Sequence, residues 1–229
     1  MEIRKSSQFE NGYIFRKEEI QKALSQKYLG FLKEAGIADI TKTPNLFVAS
    51  HLLKRDKDVE KAVRKLEVSC SYENDGTVVN ISQPYARNLV YELGGIVLPT
   101  GIIYKLFIPE LKHAAGEGNE SAISTLEEMT GRYAEWLEDL ILNKSRLKIG
   151  NQERTITLPN KDGRFDRTDI NEFGYPTQVK SSGEFYCLVP RGDKSAAIRY
   201  WDSELGLNLD WVPSFEVDWL GVRFANFFS

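Results

Sequence analysis

The residues with the most pointed chemistry lie between Gly163 and Ser182, in the run GRFDRTDINEFGYPTQVKSS. Asp166 closes a segment of strand character, and Gln178-Val179-Lys180 falls in the next such segment. Side chains two apart on a strand share a face, so Gln178 and Lys180 project together while Val179 turns to the core. A neighbouring strand that carries Asp166 sets a carboxylate, an amide oxygen and an ammonium group side by side. Such a trio can hold Mg²⁺, polarise a scissile phosphate and orient a water. A lysine placed there is the positive partner of the phosphate. A second set of the same kind is Asp75 with Glu110-Leu111-Lys112, although Asp75 sits in a tight turn and a helix intervenes.

The order of elements around Asp166 resembles the PD-(D/E)XK nuclease superfamily, which includes many restriction endonucleases. There an acidic helix precedes a strand bearing Asp, and the next strand carries Glu/Asp-x-Lys, with Gln for Glu in a minority of members. Here a helix expected over 120–142 precedes Asp166, and the following segment reads Gln178-Val179-Lys180. The resemblance covers residues 120–190. It implies Asp166 and Gln178 as Mg²⁺ ligands and Lys180 as the base or electrostatic stabiliser. It also implies a helical acid, Glu135, although Glu127 and Glu138 lie nearer the edge of the apolar stripe. Two features depart from the family pattern: no proline precedes Asp166, and Gln178 brings no charge. The implied protein is a Mg²⁺-dependent, sequence-specific DNA endonuclease acting on double-stranded DNA. A homodimer suits a palindromic target.

The surrounding elements must position these groups. Ile20, Leu24, Tyr28, Phe31 and Leu32 recur at helical spacing, which predicts a helix over 16–35 with a break near Ser25-Gln26. Two short strands are expected around Thr43-Pro44-Asn45, and helix plus hairpin gives residues 1–55 the outline of a winged helix. A helix is expected over 57–66, and Asn74-Asp75-Gly76 marks a hairpin. Another helix is expected from Gln83, with Pro84 in its first turn and Gly94-Gly95 at its end. The run GIIYKLFIPEL (101–111) reads as a buried strand and HAAGEGNE (113–120) as a loop. Ile123, Leu126, Met129, Tyr133, Leu137, Leu140 and Ile141 form one stripe, predicting the helix over 120–142. Beyond it the chain is strand-rich, with QVKSS among the extended runs. The class is α+β, a mixed sheet flanked by helices, with a core over 56–229.

Composition narrows the function classes. Of 229 residues, 41% are hydrophobic and 28% charged, as in an ordinary globular domain. Neither a secretory h-region in MEIRKSSQFE nor a membrane-length apolar run occurs, so a cytoplasmic location is expected. Two cysteines, Cys70 and Cys187, cannot build a disulfide framework or a four-cysteine zinc site, and His51 and His113 share no ligand spacing. GxxxxGK[ST], GxGxxG and GxSxG are all missing, which disfavours nucleotide hydrolysis and a serine hydrolase. Gly12-Tyr13-Ile14 and Tyr28-Leu29-Gly30 spell a GIY-YIG-like pair around a helix where that fold needs a hairpin. Arg191-Gly192-Asp193 is a turn.

A formal charge of −3 opposes bulk coating of DNA but leaves room for a local basic cleft. Candidate phosphate contacts are Lys33 and Lys42 near the wing, Arg87 on the helix after Ser82, and Arg191 and Lys194 near Lys180. These also support an alternative, a non-enzymatic winged-helix DNA-binding regulator. An interaction protein without a site is the third reading.

Overall fold

The computed structural model describes residues 11–131, 133–200 and 205–229. The N-terminal MEIRKSSQFE segment and Trp201 lie outside these residues, as does the Arg199 side chain. Thirteen strands and seven α-helices alternate along the described chain, an α+β architecture. Among the described residues no helix is long and apolar enough to cross a membrane.

Strand β1 (Gly12–Phe15) leads into helices α1 (Lys17–Ala23) and α2 (Gln26–Glu34). The break between them falls at Leu24-Ser25, where Leu24 is extended and the Ser25 hydroxyl caps α2 by accepting from Tyr28 N. The expected hairpin around Thr43-Pro44-Asn45 does not form. Instead the Asp39 carboxylate accepts from Thr41 N and Thr41 Oγ1, and Asp39 O accepts from Lys42 N and Thr43 N. This side-chain turn consumes the groups a strand would pair, so extension begins only at β2 (Asn45–Leu52). β2 lies between β1 and the C-terminal strand β13 (Arg223–Phe228), both antiparallel to it. The winged-helix outline is therefore replaced by a sheet that joins the two ends of the described chain.

Helix α3 (Lys57–Leu66) is capped by Asp56, whose carboxylate accepts from Val59 N. The Asn74-Asp75-Gly76 turn joins β3 (Ser71–Tyr72) to β4 (Val78–Val79), and α4 (Gln83–Glu92) follows with Pro84 in its first turn. The segment expected as a strand over 101–111 is helical. It comprises α5 (Thr100–Ile102), a π-helical stretch (Ile103–Phe107) and α6 (Ile108–Gly116), so the expected loop at 113–120 is also largely helix. Ile102, Ile103, Tyr104, Leu106, Phe107 and Ile108 are all buried. A helix apolar all round belongs in a core, and its residue types cannot be told from those of a buried strand. The π register delivers the chain to Pro109, which opens α6 where its missing N–H leaves no gap.

The helix expected over 120–142 is two elements: α7 (Glu120–Thr130), ended at Gly131, and β5 (Ala134–Leu142). β5 is buried on both faces. Leu137 and Ile141 face the cluster around Tyr28, Tyr104 and Phe165, while Trp136 and Leu140 face the one around α3 and α4. A strand covered on both sides carries apolar residues at every period, which is why its pattern mimicked a helical stripe. β5 lies inside an eight-stranded mixed sheet with β6 (Arg146–Ile149), β7 (Gln152–Thr155), β8 (Gly163–Phe165), β9 (Phe185–Leu188), β10 (Lys194–Tyr200), β11 (Gly206–Trp211) and β12 (Leu220–Gly221). The QVKSS run is not a strand. It meets β8 at one bridge, Arg164 opposite Lys180, because Pro176 and the Thr177 bonds to Asp169 O hold the chain before it in turns.

Candidate functional site

Asp166 follows β8 and opens a 3₁₀ turn, Arg167–Asp169. The turn is closed by a capping box: Asp166 N donates to Asp169 Oδ2 at 2.8 Å, and Asp169 N donates to Asp166 O at 2.9 Å. The bridge at Arg164 carries Lys180 alongside. Its Nζ stands 2.8 Å from Asp166 Oδ2 and 2.7 Å from Asp169 Oδ2. Gln178 Nε2 donates to Asp169 Oδ1 at 3.2 Å, and Glu184 N donates to Asp166 Oδ1 at 2.9 Å. The fold thus gathers Asp166, Gln178 and Lys180 around a second carboxylate, Asp169. That residue was legible only as an acid at capping-box spacing from Asp166.

The electrostatics follow the contacts. The Lys180 ammonium, helped by main-chain donors, lowers both carboxylates, Asp169 to about 2. The two carboxylates in turn raise Lys180. Each of the four carboxylate oxygens accepts from a protein donor, and the place between them is held by an ammonium. Mg²⁺ needs an octahedron of oxygens at about 2.0–2.1 Å. This set, turned inward on Lys180, does not fit it. Among the described residues no three His, Cys, Asp or Glu side chains are grouped as ligands.

Glu135 is elsewhere. It lies buried on β5, where Arg223 Nε donates to its Oε2 at 2.9 Å; Arg223 also meets Glu128 Oε1 at 3.0 Å and Ala49 O at 2.9 Å. Glu138 is fully buried against Arg87 Nη2 at 2.8 Å, and burial pushes its carboxyl up to about 7. Glu127, on α7, is not among these contacts. Of the second set, Asp75 pairs with Lys54 at 3.1 Å and Glu110 is exposed. Lys112 pairs with Glu184, which places it beside the Asp166 cluster instead of with Asp75.

The expected phosphate contacts are also dispersed. Lys33 pairs with Asp39 at 3.1 Å, Arg87 is committed to Glu138, and Lys42 is exposed on the Asp39 turn. Arg191 and Lys194 lie in different company. Arg191 lines a cleft of about 610 Å³ between the segments that enter β8 (158–162) and leave β9 (189–191) and the β5–β6 turn, where Lys144 and Lys161 join it. Leu158, Val189 and Pro190 contribute apolar floor. The Arg191 guanidinium is fixed by Asp162 Oδ2 at 2.7 Å and Asp210 Oδ2 at 3.4 Å, and the Arg191 main-chain N–H donates to Asp210 Oδ1 at 2.7 Å. Lys144 has a left-handed backbone, φ 58°, and is exposed, as is Lys161; neither forms a salt bridge among the described residues. Lys194 stands opposite Leu142, next to the Asn143-Lys144 turn. Lys144 and Lys161 were not singled out by sequence, because each is one lysine in a turn and only tertiary pairing brings the turns together.

No protein-family model matches the chain, and neither a curated protein nor a solved structure matches it significantly.

Proposed function

We propose that this chain acts by binding a phosphate-bearing ligand in the cleft formed by Lys144, Lys161 and Arg191, without hydrolysing it. One observation carries the reading. Two exposed lysines without a salt bridge among the described residues, Lys144 and Lys161, line one cleft from separate turns together with Arg191, which is already paired with Asp162 and Asp210. The cleft is open and its lining is mixed, Leu158, Pro159, Val189 and Pro190 beside five polar or charged residues, which suits a charged ligand better than an apolar one. Arg191 is held in place before any ligand arrives, so less side-chain entropy is lost on binding. Both ends of its fork already meet carboxylates, so the lysines supply the charge for a phosphate and Arg191 offers only its remaining N–H groups.

The reading keeps the phosphate contact expected at Arg191 but not the one at Lys194, which does not line the cleft. A nucleic-acid backbone and a small phosphorylated compound offer the same groups, and titration separates them. A labelled DNA duplex, a nucleoside triphosphate and inorganic phosphate are each added across a salt series, with and without Mg²⁺. Three phosphate contacts to duplex DNA give log K against log salt a slope of about −2.7, and Lys161→Ala reduces its magnitude by about 0.9. Binding of the triphosphate but not of the duplex assigns the site to a small ligand. Binding of none of the three refutes the proposal. Mg²⁺-dependent strand cleavage abolished by Lys180→Ala would return the chain to the endonuclease reading.

A further inference from the structure

We propose that the loop Val212–Trp219 is a docking surface for a cationic peptide segment that carries apolar side chains. The loop runs from the end of β11 to β12 and displays apolar groups: Val212 is 56% exposed and Phe215 46%. Phe215 packs edge-on to Trp211 with centroids 4.8 Å apart, and Trp211 meets Trp219 in the same way at 5.3 Å. Trp211, Val217 and Trp219 are half-buried against the core cluster of α3 and α4, so Phe215 stands on a fixed base.

The backbone is tied down too. Gln83 N donates to Pro213 O, Asn80 N to Val217 O and Ala134 N to Trp219 O, all within 3.0 Å. Exposed Tyr85 lies two residues along α4 from Gln83. Rigid aromatic anchors in a polar rim are the make-up of a protein-binding hot spot, and little order is lost when such a patch is covered.

Charge selects the occupant. Residues Val212–Val222 include Glu216 and Asp218 and contain neither lysine nor arginine. Several acids elsewhere are matched, Asp39 by Lys33, Glu92 by Lys65 and Glu172 by Lys27, while other exposed acids such as Asp58 and Glu110 are not; what marks this loop is that its unmatched acids adjoin the exposed Phe215 ring. Glu216 and Asp218 are exposed and form no salt bridge among the described residues. A partner with arginine or lysine beside leucine or an aromatic side chain satisfies both halves of the surface, the carboxylates by charge and Phe215 by contact. This surface is separate from the phosphate cleft, so either assignment can fail alone.

The test uses the full chain and a short labelled peptide of arginine and leucine, with two arms: glutamate for arginine, and serine for leucine. The arginine-leucine peptide binds. The glutamate arm does not, and the serine arm binds at least about tenfold more weakly. Phe215→Ala and Glu216→Lys each weaken binding by about tenfold or more, with melting temperatures close to wild type because both sites are exposed. Equal binding of all three peptides, no binding of any, or binding unmoved by both variants overturns the proposal. Sedimentation of the chain alone supplies a further outcome. Self-association lost in Phe215→Ala overturns the peptide assignment in favour of a second copy of this chain.

Discussion

Asp139 offers the sharpest energetic prediction. It sits on β5, wholly buried, with Oδ2 accepting from Thr100 N at 2.5 Å and Thr100 Oγ1 at 2.6 Å. Its other oxygen, Oδ1, makes no hydrogen bond among the described residues. Burial raises the carboxyl from 3.8 to about 6, against the lowering effect of Thr100. The native state therefore holds the proton more tightly than the unfolded chain, and stability falls as pH rises from about 4 to about 6. The shift of about two units corresponds to at most about 3 kcal/mol, fully lost above about pH 6. Asp139→Asn keeps an oxygen for Thr100 and removes the charge. Near pH 8 the variant gains up to that amount, which is about 6–12 °C in melting temperature for a chain of this size. Near pH 4 the variant and wild type melt together. The assay is thermal unfolding at the two pH values with a urea titration as a check. Parallel curves with the variant less stable at both ends would refute the argument, since that result means the native fold favours the charged carboxylate.

Other consequences follow from the same charges. Wild-type stability has a maximum near pH 4–5. Below it the lowered carboxylates Asp39, Asp75 and Asp169, each near 2, lose their contribution as they protonate; above it Asp139 and Glu138 ionise in burial. A stability curve that rises steadily to neutrality contradicts this. Arg223→Ala leaves Glu135 buried without its guanidinium and costs about 3–5 kcal/mol in urea unfolding, whereas a loss under about 1 kcal/mol would mean the pair is not desolvated. Lys180→Ala breaks a solvent-screened pair cluster, so it leaves the melting temperature close to wild type and ligand binding in the cleft unchanged. Loss of binding in that variant would join the two sites.

Local signals carried as far as local forces decide the structure. Asp56 with Lys57–Leu66, the Asn74-Asp75-Gly76 turn and Pro84 in α4 are each settled by caps and turn chemistry within a few residues, and each appears where its residues predict it. Residues 101–111 and 134–142 fold otherwise than their residue pattern predicts because both are buried on all sides, and burial erases the alternation that tells helix from strand. Gly131 was the overlooked stop. Within the site, the approach of Asp166 to Lys180 was legible from spacing. Asp169 was not, because a 3₁₀ turn and not a strand sets its direction, and its presence turns a metal-like trio into an internal ion pair. The Lys144–Lys161–Arg191 cleft is long-range in origin, assembled by pairing of β5, β8 and β9 with their neighbours, and single lysines in turns give no warning of it.

Reversing the charge of the cleft tests the account most directly. In Lys144→Glu/Lys161→Glu two phosphate contacts are lost and two repulsions are added, while both side chains are exposed and the fold is spared. The account predicts saturable, salt-sensitive binding of a nucleoside triphosphate or DNA duplex by the wild-type chain, weakened by about a hundredfold or more in the double variant, at about 1–2 kcal/mol per contact. Equal binding by both proteins contradicts it.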